Sequence, residues 1–236
     1  MIANWINEAF FGFDYAILQF CHALAEAAGG IFGPIMEFLA FIGDNGYFSF
    51  ALAFILLLFP KTRKWGLGVF LSILVGAVFT NLAIKNIVAR PRPYASDVAA
   101  FKEWWTYAGA HLESEFSFPS GHTTAAMASM TALCLAAPKK VGKWIVAPSI
   151  LYVILMGAAR NYLVVHYPTD VIAAFVVGGI AAIVAVLLAK LIWKLLESRA
   201  SVKLFAFALE FDIRRLFTKK KNAQAAQETD GDQDLE

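Results

Sequence analysis

Charge is what this chain has least of. Asp, Glu, Lys and Arg make up 16% of its 236 residues, whereas a soluble domain carries about a quarter. The deficit falls in long blocks, which excludes an ordinary soluble globule and predicts membrane-spanning helices. Residues 1–44 contain no Lys or Arg, so a conventional signal peptide with a basic n-region is not expected. The two cysteines, Cys21 and Cys134, fall in different segments. That separation offers neither a disulfide framework nor a metal site. The net charge of +2 does not suggest a nucleic-acid partner. There is no internal repeat, and the length suits a single domain.

What is present is 59% hydrophobic residues arranged in runs. The pattern predicts an all-α, polytopic transmembrane bundle of about five spans, near 45–59, 65–88, 120–137, 144–160 and 168–191. Before them, Ile17, Phe20, Cys21 and Leu24 recur at helical spacing, with Asp14, His22 and Glu26 opposite. This predicts an amphipathic helix lying in the interface and ended by Gly29-Gly30. A short helix near 34–42 follows. The alternative is that 14–40 crosses as a sixth span. Residues 89–118 read as a polar and aromatic loop, with Trp104, Trp105 and Tyr107 as interface anchors. The expected division is 1–44 interfacial helices, 45–195 transmembrane core, and 196–236 a cytoplasmic amphipathic segment with a disordered tail. Within the last, 201–217 suits a surface helix and Lys219-Lys220-Lys221 suits anionic lipid.

Fifteen of the twenty Lys and Arg fall at one set of span ends. By the positive-inside rule these mark the cytoplasmic side, with the N-terminus outside and the C-terminus inside. The other set holds Lys85, Arg90, Arg92, Lys102 and Arg160. At least four of these five adjoin the polar motifs, which calls for a local reason such as an anionic ligand.

Lys85, Arg92 and Arg160 supply point and forked donors suited to phosphate oxygens. Pro119-Ser120-Gly121-His122 suits a turn entering a helix, where free amides and a glycine attract an anion. Ser120 can add a hydroxyl donor. Asp170 falls in the first turn of the last span and can orient His166, leaving one ring nitrogen free as a nucleophile. Metal binding lacks support, since no clustered carboxylates or nearby Cys accompany the histidines. Two histidines among phosphate donors point to phosphoryl transfer without a metal or cofactor. His166 attacks phosphorus, His122 protonates the leaving oxygen and later activates water, and the cations hold the equatorial oxygens.

Lys85-x6-Arg92-Pro93, Pro119-Ser120-Gly121-His122 and Arg160-x5-His166-x3-Asp170 resemble the three signatures of the type 2 phosphatidic acid phosphatases, whose superfamily includes bacterial acid phosphatases and vanadium haloperoxidases. The resemblance implies an all-helical core, with His166 as nucleophile, His122 as acid and Asp170 as support. It also implies a phosphate pocket from Lys85, Arg92, Ser120, Gly121 and Arg160. The third signature usually opens Ser-Arg; here Ala159 precedes Arg160, a change expected to tune affinity or helix geometry. Integral-membrane members of this kind dephosphorylate lipids on the outer leaflet. The candidate substrates are undecaprenyl pyrophosphate, phosphatidylglycerophosphate, phosphatidic acid and lysophosphatidic acid, and the expected location is a bacterial plasma membrane. Trp104, Trp105 and Phe116 are candidates for lining a lateral lipid route. A lipid-binding or transport protein, a lipid phosphotransferase and a vanadate haloperoxidase are the rival readings.

Overall fold

A computed structural model describes residues 1–214, and the regular structure among them is helical. Helix α1 (Ile2–Ala27) is longer than its apolar periodicity suggests. Trp5, Phe10, Phe11, Phe13 and Phe20 are exposed, while Ile6, Asp14, Leu18 and Ala25 face the protein. Of the polar residues placed opposite the apolar stripe, Asp14 is turned inward while Glu26 stays exposed. Asp14 is 2% exposed because it meets a buried arginine, described below. Gly29 and Gly30 adopt φ of 55° and 80° and end the helix, a backbone that glycine takes without steric penalty.

Helices α2 (Gly33–Gly43) and α3 (Tyr47–Leu57) are joined by a tight turn in which Asn45 and Gly46 have φ of 48° and 72°. Eleven residues of helix reach only about 16 Å, half of the ~30 Å hydrocarbon layer. The first span is therefore the kinked stretch Gly33–Leu57, not one beginning near residue 45. Helix α4 (Arg63–Ala77) passes through a π-helical turn, Val78–Ile84, into α5 (Lys85–Val88). Helix α6 (Ala99–Tyr107) lies within the segment read as a loop. It forms because Phe101 and Trp104, three residues apart, pack on Leu18, Val164 and Tyr167. Trp104 is thus a core residue instead of an interface anchor. Trp105 stacks on Tyr94 at 4.6 Å and donates Nε1–H to the His111 carbonyl at 2.8 Å.

Helices α7 (Gly121–Ala136), α8 (Lys139–Tyr162) and α9 (Pro168–Ser198) complete the bundle, and α10 (Lys203–Glu210) follows. Among the described residues four stretches are long and apolar enough to cross a membrane: Gly33–Leu57, Arg63–Ala95, Lys139–Tyr162 and Pro168–Ser198. The remaining expected span, α7, has 16 residues, about 24 Å of helix, and is enclosed by α4, α8 and α9. Small residues allow that enclosure. A Cβ on Gly178 would lie 2.9 Å from the Thr124 carbonyl oxygen, and Gly76 faces Thr124, Ala128 and Ala181. Close backbone approach through Gly and Ala is how helices associate where lipid removes the hydrophobic drive between them. Ser49 and Ser129 share a buried hydrogen bond of 2.8 Å across the same bundle.

At the end away from the polar motifs, Arg63 donates to the Leu57 and Leu209 carbonyls, each at 2.9 Å, tying α10 to the α3–α4 turn. Helix α10 covers part of the surface helix expected over 201–217. Lys219-Lys220-Lys221 and the tail expected to be disordered lie outside the described residues.

Candidate active site

The α2–α3 kink, the end of the π-helical turn, the segment 109–121 and the loop 163–167 converge on a cavity of about 460 Å³. Lys85, Arg92, Gly121, His122 and His166 line it, with Glu113 and Glu115. Two features aim the cations. The π-helical turn precedes Lys85, and such turns recur at functional sites. Ala89 ends α5 at φ 51°, and Pro91 and Pro93 keep the backbone around Arg92 out of helix.

His166 is 1% exposed. Pro168 opens α9 and Tyr167 is its N-cap, which places Asp170 at the third helical position. One Asp170 oxygen, Oδ2, accepts the Tyr167 amide at 2.9 Å and the Ser117 hydroxyl, and lies 3.4 Å from His166 Nδ1. The other, Oδ1, accepts Arg90 at 2.7 Å. Arg92 Nη1 stands 3.1 Å from His166 Nε2. A guanidinium only donates, so Nε2 must carry its lone pair and the ring proton must sit on Nδ1, toward Asp170. Burial, then the charges of Arg92, Arg160 and Lys85, hold the imidazole pKa well below its ordinary value. Burial and the neighbouring charges thus favour the neutral ring, and His166 lines the cavity.

The cations are already occupied by carboxylates of one loop. Lys85 pairs with Glu115 and Arg160 with Glu113. Arg92 is fixed by the Glu115 and Val165 carbonyls, each at 2.9 Å, and its Nη2 lies 3.7 Å from Glu113. Burial opposes ionisation of Glu113, but Arg160 and Arg92 outweigh it and hold the carboxyl down at about 2. His122, in the first turn of α7, stands 3.8 Å from Asp44 through Nε2. It also lines a second cavity of about 390 Å³ with Asp44, Glu113 and Arg160.

Five of the eight residues singled out in the sequence thus share one cavity. Arg160 opens on the adjoining one, with its Nε buried and unpartnered. Asp170 lies behind His166. Ser120 is fully buried; its Oγ is 3.0 Å from Thr123 Oγ1 and accepts the Thr123 amide at 3.4 Å, capping α7. From that turn Gly121 and His122 reach the cavity, and Ser120 does not. Ala159 is buried within α8. Sequence reasoning missed Ser117, Glu113, Glu115 and Asp14. Arg90 carried a signal, as one of the five cations at the motif ends.

The PAP2 superfamily profile matches residues 65–194. The chain belongs to the PAP2 superfamily. An undecaprenyl-diphosphatase of Sulfolobus acidocaldarius is 29% identical over 61% of this chain, the match spanning 65% of that relative. A decaprenylphosphoryl-5-phosphoribose phosphatase of Mycolicibacterium smegmatis is 32% identical over 71% of this chain and 83% of its own length. Among solved structures, Aquifex aeolicus LpxE superposes with a TM-score of 0.52 at 25% identity, covering 71% of this chain and 93% of that one. The membrane-helical fold and the family agree with a multi-pass membrane protein.

Proposed function

We propose that this membrane phosphatase of the PAP2 superfamily removes phosphate from a phosphorylated membrane lipid through a covalent phosphohistidine on His166. The observation that carries the reading is the placement of His166 in a cavity with Lys85, Arg92 and His122, its Nε2 3.1 Å from an Arg92 donor while Asp170 stands 3.4 Å from its other nitrogen. Nε2 attacks phosphorus in line. The bond to the lipid oxygen breaks, and His122 gives that oxygen its proton. His122 then takes a proton from water, whose oxygen attacks the phosphohistidine, releasing inorganic phosphate and restoring Nε2. Lys85 and Arg92 hold the transferring oxygens, with Arg160 and the Gly121 end of α7 beside them. These side chains carry the positive charge, so turnover is expected to survive chelator.

Undecaprenyl pyrophosphate, phosphatidylglycerophosphate and phosphatidic acid are the substrate candidates. Phe50, Ile73 and Leu74 line one side of the cavity, so a headgroup can enter between α3 and α4 while its tails stay in the bilayer. That route replaces one past Trp104 and Trp105, which pack elsewhere. The site faces outward in this reading, because fifteen of the twenty Lys and Arg lie at the opposite span ends and in the tail.

The test is chemical trapping. Rapid alkaline quenching of the wild-type enzyme during turnover of 32P-labelled lipid is expected to yield an acid-labile, alkali-stable phosphoramidate on His166. Label on no residue, or on another residue, would overturn the mechanism.

Glu115 supports one further prediction. Its carboxylate is half exposed yet sits on Lys85, where a substrate oxygen must go. Glu115→Gln is therefore expected to lower KM by roughly threefold with kcat nearly unchanged, in line with the modest worth of an exposed ion pair. A raised KM in steady-state kinetics would show that the carboxylate assists binding.

A further inference from the structure

We infer that Asp14 of α1 is a positioning residue for phosphoryl transfer, acting through Arg90 on Asp170 and so on His166. The inference rests on the catalytic reading above and extends the site to a helix 76 residues before Arg90 in the chain. Arg90 is 1% exposed and does not line the cavity. Its donors are spent elsewhere. Nε goes to Asn7 Oδ1 at 2.7 Å, Nη1 to Thr169 Oγ1 and Asp170 Oδ1, each at 2.7 Å, and Nη2 to Asp14 Oδ2 at 2.8 Å. Its guanidinium carbon lies 3.6 Å from the centre of the Tyr167 ring. A guanidinium used in this way is a strut between two helices, not a phosphate ligand.

Asp14 grips both ends of that strut. Besides Arg90, it accepts the Thr169 amide at 2.9 Å and the Thr169 hydroxyl at 2.8 Å. Thr169 immediately precedes Asp170, so Asp14 fixes the first turn of α9 directly and through Arg90. One arginine shared by two buried carboxylates has its position set from both sides. Without the Asp14 charge the guanidinium is free to shift toward Asp170, the Thr169 amide loses a charged acceptor, and the Asp170 oxygen facing Nδ1 turns. The carboxylate's share of the hold on the His166 tautomer is then loosened, while Arg92 still faces Nε2. Outer partners that orient metal-bound imidazoles typically carry 10–100-fold effects, and an effect of the same order is expected here. Helix α1 presents Trp5, Phe10, Phe13 and Phe20 on its exposed face. The helix thus reaches the nucleophile through Asn7 and Asp14, by way of Arg90 and Thr169.

The experiment compares wild type with Asp14→Asn and Asn7→Ala in detergent. It measures kcat, KM, inhibition by inorganic phosphate, and the 15N resonances of His166. Asp14→Asn is expected to lower kcat 10- to 100-fold, with KM and phosphate inhibition within twofold, because Lys85, Arg92 and Arg160 make none of their described hydrogen bonds to Asp14, Arg90 or Thr169. The His166 signals are expected to change from the Nδ1-protonated tautomer to a mixture. A purely structural role would instead lower the folded fraction and scale all activity with it. A kcat within twofold of wild type in folded Asp14→Asn would overturn the proposal. If that variant does not fold, Asn7→Ala decides, since it removes one hydrogen bond and no charge. A roughly threefold lower kcat at unchanged KM supports the relay, and an unchanged kcat overturns it. If the wild type releases phosphate from no lipid, the phosphatase reading fails. The 15N comparison then decides the positioning by itself, with an unchanged tautomer in the folded variant as the contradicting result.

Discussion

Replacing His166 by alanine is expected to lower kcat by at least about ten-thousand-fold while the protein stays folded and binds phosphate nearly as before. Loss of a covalent nucleophile costs losses of this order or larger where its partners remain, and what survives comes from binding and electrostatics alone. The separation of turnover from affinity follows from the contacts. Arg92 loses one neighbour, Nε2, but keeps the carbonyls of Glu115 and Val165. Lys85 and Arg160 do not touch the ring among their described hydrogen bonds. The cations therefore hold their places, and phosphate inhibition is expected to shift by less than about threefold. Single-turnover kinetics and phosphate competition on the same preparation check both halves. A loss of less than tenfold would mean that another group attacks phosphorus.

Asp170→Asn is expected to lower kcat roughly a thousand-fold with little change in KM. The carboxylate presents Oδ2 to His166 Nδ1, Ser117 and the Tyr167 amide, and Oδ1 to Arg90. An amide offers only one acceptor oxygen. If that oxygen stays with Arg90, the NH2 group meets Nδ1–H donor to donor, which favours the other tautomer and puts a proton on the attacking nitrogen. In a serine protease the matching carboxylate-to-amide change costs about ten-thousand-fold for this reason. The smaller effect expected here reflects Ser117, whose hydroxyl lies 3.4 Å from Nδ1 and can accept part of the time. Folding is expected to survive, since Arg90 keeps Asp14, Asn7 and Thr169. A kcat within tenfold of wild type would show that Asp170 caps α9 without orienting the histidine.

The motif residues were legible because each chemistry has a local grammar. Ser120 reads as an N-cap, Pro168 and Asp170 as a helix start, and Pro91 and Pro93 as a break that frees Arg92. The spans were legible from the placement of charge. What escaped had no local grammar. Asp14 sits on an amphipathic helix, where a carboxylate opposite an apolar stripe ordinarily faces water. Only the partner 76 residues later makes it buried. Glu113 and Glu115 look like a solvated loop until the cations they face are known. The π-helical turn before Lys85 leaves no trace in residue type. Helix α6 looks like loop in the sequence because Phe101 and Trp104 show half of an amphipathic pattern, completed only by Leu18 and Tyr167 across the fold.

The central claim is metal-independent hydrolysis of a lipid phosphate at His166. Its most direct test is release of inorganic phosphate by the detergent-purified protein, in excess chelator, from undecaprenyl pyrophosphate, phosphatidylglycerophosphate, phosphatidic acid and lysophosphatidic acid. The expected result is chelator-resistant, vanadate-sensitive release from at least one of them, absent in His166→Ala. Folded protein that binds phosphate yet releases none from any of the four would contradict the claim and leave a lipid-phosphate binding or transport protein.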